Sequence, residues 1–216
     1  MKSALARHKH LLLLVGLTLL AFLVTAGSLL RKPARWLPPG TVLYDFEDDS
    51  QLDHINWQCG TLFRRVQQHV ADGHWSLKIE MHPGPNNWPG FGTGFKNGVA
   101  PGGCLELAIY NPQSEPLTLS YRIDDRPNPP YGDRLNGRIT LAPGPNYVVF
   151  DFNQLKTPKT RRRIRPEKLY RFFLFLHRPK QTTIIYIDHL AVGHCPPPIE
   201  KKAGHNRSIN PVPPAD

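Results

Sequence analysis

The loop of the stretch "YRIDDRPNPPYGDRLNGRITLAPG", Tyr121 to Gly144, holds Asp124, Asp125, Arg126, Asn128, Tyr131, Asp133, Arg134 and Asn136 within about one hairpin's length. Three uses are open to such a set. Paired carboxylates do acid–base work, planar polar groups bind the hydroxyls of a sugar, and an Asp–Arg network holds a long connection in shape. Catalysis fits worst. Asp124 and Asp125 are adjacent, and neighbours on a strand point to opposite faces, so the two cannot flank one bond. Glu47 and Glu80 have no neighbour that marks them as acid and base. The chain also lacks Gly-x-Ser-x-Gly, His-Glu-x-x-His and phosphate-loop patterns. His69, His74 and His82 read as surface or capping residues. The sugar rim and the ion-pair network both stay open, and a network can fix the very side chains that touch a ligand.

The elements that must position this set are short strands. Runs rich in β-branched and aromatic residues recur between Gly, Pro, Asn and Asp: "TVLYDFED", "LFRRVQQHV", "SLKIEMH", "CLELAIYNP", "LTLSYRIDD", "NGRITLAPG", "YVVFDF", "LYRFFLFLHR" and "TIIYIDHLAVG". Several alternate with period two; in the first, Val42, Tyr44 and Phe46 are expected on one face and Leu43, Asp45 and Glu47 on the other. Nine such runs with hardly any helical periodicity predict an all-β fold, an antiparallel two-sheet jelly-roll sandwich over residues 41–195. On the fifth run Arg122 and Asp124 share a face, and Arg134 and Asn136 return beside them for cross-strand pairing.

The flanks read differently. Residues 1–10 form a short basic tail, and Leu11 to Leu30 follow without a charge, long enough for one transmembrane helix. An uncleaved anchor is the reading taken; a signal peptide cut near Val24-Thr25-Ala26 is the alternative. Basic residues on the two sides nearly tie, and the free amino terminus tips the orientation toward a cytoplasmic N-terminus. The rest of the chain is then expected in the periplasm, or secreted if the segment is cleaved. Residues 31–40 read as a Pro-rich linker, and 196–216 as a disordered Pro-rich tail. Cys59, Cys104 and Cys195 match no zinc spacing and are expected as thiols, with at most one bridge possible.

The order of "YDFED", "ADGHWSLKIEM", the hairpin with "YVVFDF", and "IYIDHLAV" resembles the galactose-binding-like jelly rolls of bacterial carbohydrate-binding modules. It is similar also to the sandwich of the complex I intermediate-associated protein family. The resemblance implies a structural calcium that ties the first strand to the last, here with Asp45 or Glu47 from the first strand, Asp188 from the last and backbone carbonyls around Gly73 to Trp75 as ligands. It also implies a glycan partner held on a concave face. The residues assigned to ligand contact are Trp88, Tyr131, Arg122, Asp124, Arg134 and Asn136. Trp57, Trp75, Phe91 and Tyr110 are further aromatic candidates, with a core role preferred for Trp75 and Tyr110.

Net charge is +10 at pH 7. The basic run "KTPKTRRRIRPEKLYR", Lys156 to Arg171, carries much of it and reads as a solvated loop, or as a contact for an anionic polysaccharide or lipid phosphates. Nucleic acid is excluded by the expected compartment and by the lack of interleaved aromatics. The expectation is therefore a non-catalytic, membrane-anchored carbohydrate-binding module. A protein-interaction or assembly module using the same face is the alternative.

Overall fold

The computed structural model describes residues 36–56, 59–85 and 88–195. In chain order its strands are β1 (Trp36–Leu37), β2 (Thr41–Tyr44), β3 (Thr61–Val66), β4 (Ser76–Met81), β5 (Gly90–Gly94) and β6 (Gly98–Val99). They continue as β7 (Gly103–Asn111), β8 (Leu117–Asp124), β9 (Leu135–Leu141), β10 (Gly144–Asp151), β11 (Arg171–Phe175) and β12 (Thr183–His194). One sheet has the order β10-β7-β12-β4-β3, with β2 also paired to β12; the other has the order β5-β11-β8-β9. All pairings in both are antiparallel. The all-β sandwich is as the strand runs predict. The expected transmembrane segment, the basic tail, the first half of the linker, Trp57 and the C-terminal tail lie outside the described residues. Among the described residues no helix is long and apolar enough to cross a membrane.

The core lies between the two sheets because alternate residues of each strand point into it. On β7, Leu105, Leu107 and Ile109 are buried while Glu106, Ala108 and Tyr110 are only half covered. On β8, Leu119, Tyr121 and Ile123 face the same core. Phe150 joins the sheets: its ring meets Tyr121 and Phe172 edge-on, each at 5.1 Å. Each such burial is worth about 1.5–3 kcal/mol, so the sandwich is held mainly by this apolar layer.

Three strands escape the sequence pattern. Trp36–Leu37, inside the expected linker, pairs in parallel with Gly98–Val99, so ordered structure starts before Thr41. β5 is a strand although its sequence is Gly-Phe-Gly-Thr-Gly. An added methyl at Gly90 would strike the Leu174 carbonyl, and one at Gly92 the Phe173 ring. Glycine is therefore what lets β5 close on β11.

Two further expectations change. Tyr44 and Phe46 are buried, but Val42 is 44% exposed. A bulge sets Leu190 and Ala191, neighbours in sequence, against Tyr44 and Val42, two apart, and this breaks the alternation. Nor are the cysteines all thiols: Cys104 and Cys195 form a disulfide, and Cys59 is free and exposed. The pairing of β7 with the end of β12, Gly103 opposite His194, brings the two sulfurs together.

Candidate functional site

The outer face of the four-stranded sheet is built by the residues that alternate with the core. Registry across it runs Gly92, Phe173, Arg122 and Asn136 in one row, and Gly90, Phe175, Ser120 and Arg138 in the next. Phe173 and Phe175 are half-buried aromatic surface on that face. The Arg122 guanidinium lies 5.8 Å from the Phe173 ring centre, and that of Arg171 5.5 Å from it. Arg122 also donates from Nε and Nη2 to the two oxygens of Asp124, at 3.0 and 2.6 Å. Asp124 has its side chain fully buried, so the bidentate pair is what makes a carboxylate tolerable there. Beside them, the Asn136 Nδ2 is buried and finds no acceptor among the described residues. At about 3.3 Å per residue, the face extends roughly 13 Å from Phe175 to Arg171.

Aromatic groups stand near both ends. Trp88, 50% exposed, lies two residues before β5 and stacks on His177 with ring centres 6.2 Å apart. Tyr131, 64% exposed, sits in a short 3-10 turn between β8 and β9 with the Arg134 guanidinium 5.9 Å from its ring. Arg134 itself is aimed by a 2.9 Å bond from Nε to the Pro129 carbonyl. The structure thus gathers Arg122, Asp124 and Asn136 on one face, and sets Trp88 on one flank and Tyr131 with Arg134 on the other.

The acidic half of the opening cluster turns the other way. Asp125 accepts from Arg162 Nη1 and Nη2 at 2.6 and 2.9 Å and from the Arg165 backbone N–H at 3.1 Å. Burial pushes its pKa up, but the Arg162 bonds and the Arg165 N–H outweigh this and hold it below the ordinary carboxylate range. Asp133 accepts from Thr160 Oγ1, from Arg162 Nε and from Arg126. The basic run is therefore pinned to the hairpin, where a free solvated loop is one of the two sequence readings. Together Arg126, Pro130, Gly132, Asp133, Lys159, Thr160 and Arg162 enclose an open cavity of about 650 Å³.

Asp45, Glu47 and Asp188 serve as separate anchors. Asp188 accepts the N–H groups of Ala71, Asp72 and His189 at 2.7, 3.1 and 2.7 Å, and burial raises its pKa against the pull of those donors. Glu47 Oε1 takes the N–H groups of His74 and Trp75 at 2.7 and 2.8 Å, and the His74 bond lowers its pKa. Asp45 Oδ1 takes Gln51 Nε2 at 2.6 Å, the main cause of its lowered pKa. Asp188 and Glu47 clamp the connection between β3 and β4 through backbone N–H donors, whereas Asp45 holds Gln51 in the turn before β3. Among the described residues, the group of metal-binding side chains with ligand atoms within 4.8 Å is Cys104, Asp151 and Cys195, two of which are already in the disulfide. Asp45, Glu47 and Asp188 are not such a group of three side chains, and no calcium chemistry is derived from them.

Phe91 is fully buried and belongs to the core. Trp75 is half covered beneath the Arg65 guanidinium at 4.6 Å, and Tyr110 stacks on His69 at 3.6 Å. Residues missed by sequence reasoning are Phe173, Arg171 and Arg162. The first had a signal: in "RFFLF" apolar residues occupy both parities of one strand, which places some of them off the core.

No protein-family model matches the sequence, and no curated protein matches it. Solved structures do share the fold. A family 11 carbohydrate-binding module from Clostridium thermocellum, in complex with a β-1,3-1,4-mixed-linked tetrasaccharide, superposes with a TM-score of 0.54 at 10% identity, covering 70% of this chain and 94% of that one. The solution structure of CtCBM11 gives 0.56 at 9% identity, covering 73% and 96%. An exo-β-agarase gives 0.55 at 14% identity over 72% of this chain, which spans only 25% of the agarase chain. The jelly roll of the carbohydrate-binding modules, expected from the motif order, is the fold observed.

Proposed function

We propose that this chain is a non-catalytic carbohydrate-binding domain that takes a glycan on the outer face of its four-stranded sheet. The observation that carries this reading is the row Phe173, Arg122 and Asn136. A flat ring for the C–H face of a pyranose lies beside planar donors for its hydroxyls, the mixture that sugar sites need. Trp88 and Tyr131 with Arg134 extend the contact at the two ends. The sandwich shared with family 11 modules supports the same use. Against catalysis by the hairpin stand its carboxylates: Asp124 is tied by both oxygens to Arg122, and Asp125 faces Arg162 on the other side, so these two do not oppose each other across a bond.

The apolar run Leu11 to Leu30 tethers this domain to a bacterial inner membrane, with the domain on the periplasmic side. The Cys104–Cys195 disulfide supports that side, because such bonds persist in oxidising compartments.

The test is titration calorimetry of the full-length chain against a panel of neutral and acidic oligosaccharides. Saturable binding is expected, weakened about tenfold by Phe173→Ala and less by Asn136→Ala or Trp88→Ala. Arg122→Ala is a poor probe, because it strands the buried Asp124. A folded chain that binds no member of the panel sinks the sugar reading, and co-purification for a protein partner on the same face then comes next.

A further inference from the structure

The cavity between the hairpin and the basic run lies outside the glycan face just described. Residues 122–134 and 156–171 together hold eleven basic residues against four acidic ones, seven of the chain's ten net positive charges. Lys156, Lys159, Arg161, Arg163, Arg165 and Lys168 are all exposed. Exposure of that kind is ordinary for a solvated loop; the way the loop is held is not. Asp125 and Asp133, both buried, fix Arg162 through four bonds, and Thr157 and Thr160 bond each other at 2.6 Å beneath the turn. Gly132 has no side chain, and the Lys159 stem crosses it so closely that an added Cβ would stand 2.8 Å from Lys159 Cδ. Lys159 makes no ion pair among the described residues. Arg126 shares Asp133 with Arg162. Two carboxylates thus serve Arg126, Arg162 and Arg165, and the cavity they brace is left positive.

Resting on the carbohydrate reading, we propose that this cavity is a subsite for an acidic sugar residue, whose carboxylate or sulfate is held by Lys159 and Arg126 in front of Arg162. The volume of about 650 Å³ suits a small-molecule-sized group. Guanidinium forks match planar or tetrahedral oxyanions. Position favours a polysaccharide: Asp124 belongs to the glycan face and Arg126, two residues on, lines the cavity, so the cavity begins close to where the face ends. Exposed Tyr131 stands between the lining residues Pro130 and Gly132.

The experiment compares affinities of the full-length chain at about 150 mM salt, where diffuse attraction is screened. The probes are oligogalacturonate against its methyl ester for the carboxylate, and dextran sulfate against dextran for the sulfate. Expected is a preference of about tenfold or more for one charged member, largely lost in Lys159→Gln and kept in Lys168→Gln, a charge-matched change outside the cavity. Neutral-glycan binding stays unchanged in both variants. Equal loss in the two variants means diffuse attraction and overturns the subsite, as does equal affinity for charged and neutral members. Sedimentation with phosphatidylglycerol vesicles that responds to Lys159→Gln, with no charged-glycan preference, assigns the cavity to lipid and overturns it too. Absence of binding to every glycan, charged or neutral, instead defeats the carbohydrate reading on which the subsite rests.

Discussion

Replacing Asp125 with Asn tests how the basic run is attached to the hairpin. Asp125 is buried, and its two oxygens receive three hydrogen bonds, two from the Arg162 guanidinium and one from the Arg165 backbone. Removing one partner of a buried ion pair costs about 3–5 kcal/mol when the other charge is stranded. Here the Arg162 side chain is 30% exposed and keeps Asp133, so water and a second carboxylate recover part of that, leaving about 2 kcal/mol. In a domain of this size the melting temperature falls by roughly 4–8 °C. The sign with pH follows from the lowered pKa of Asp125. Its contribution is fully present above the unfolded value near 3.8 and is lost as pH falls through the lower folded value. The gap in melting temperature between wild type and Asp125→Asn, read by circular dichroism, is therefore wide at pH 7 and narrows as pH falls below the unfolded value. A gap under about 1 °C at pH 7, or one that widens as pH falls, refutes the argument that this ion pair holds the loop.

Two other perturbations read different parts of the molecule. Reduction of Cys104–Cys195 opens a link between residues 91 apart in sequence, and is expected to cost about 2–4 kcal/mol; an unchanged melting temperature in dithiothreitol would show that the bond adds nothing to stability. Since Asp45, Glu47 and Asp188 each engage N–H donors, calcium chloride and EDTA should give the same melting temperature. A rise of several degrees with calcium would assign a metal site to these carboxylates.

Most strand positions were legible because period-two burial is written locally. β7, with Leu105, Leu107 and Ile109 inward, needs nothing beyond its own alternation. β5 was not legible, since glycine has no strand preference, and its place depends on how closely Leu174 and Phe173 approach from β11. Val42 was misread for a similar reason: the bulge opposite it belongs to β12, some 150 residues away in sequence. Of the candidate site, Arg122, Asp124 and Asn136 could be placed on one face from strand parity and hairpin pairing. Phe173 could not, because apolar residues on both sides of "RFFLF" do not reveal which side meets the core.

By itself the sequence determined the all-β class, the excess of positive charge and the hairpin that carries Arg122 and Asp124, since alternation and composition are local quantities. Tertiary structure alone decided the rest. Whether Cys104 meets Cys195 depended on β7 lying beside the end of β12. Whether Asp125 and Asp133 were free or paired depended on a basic run folding back from more than twenty residues away. Electrostatic partners are chosen by distance in space, and a buried carboxylate needs a counter-charge wherever the fold can supply one.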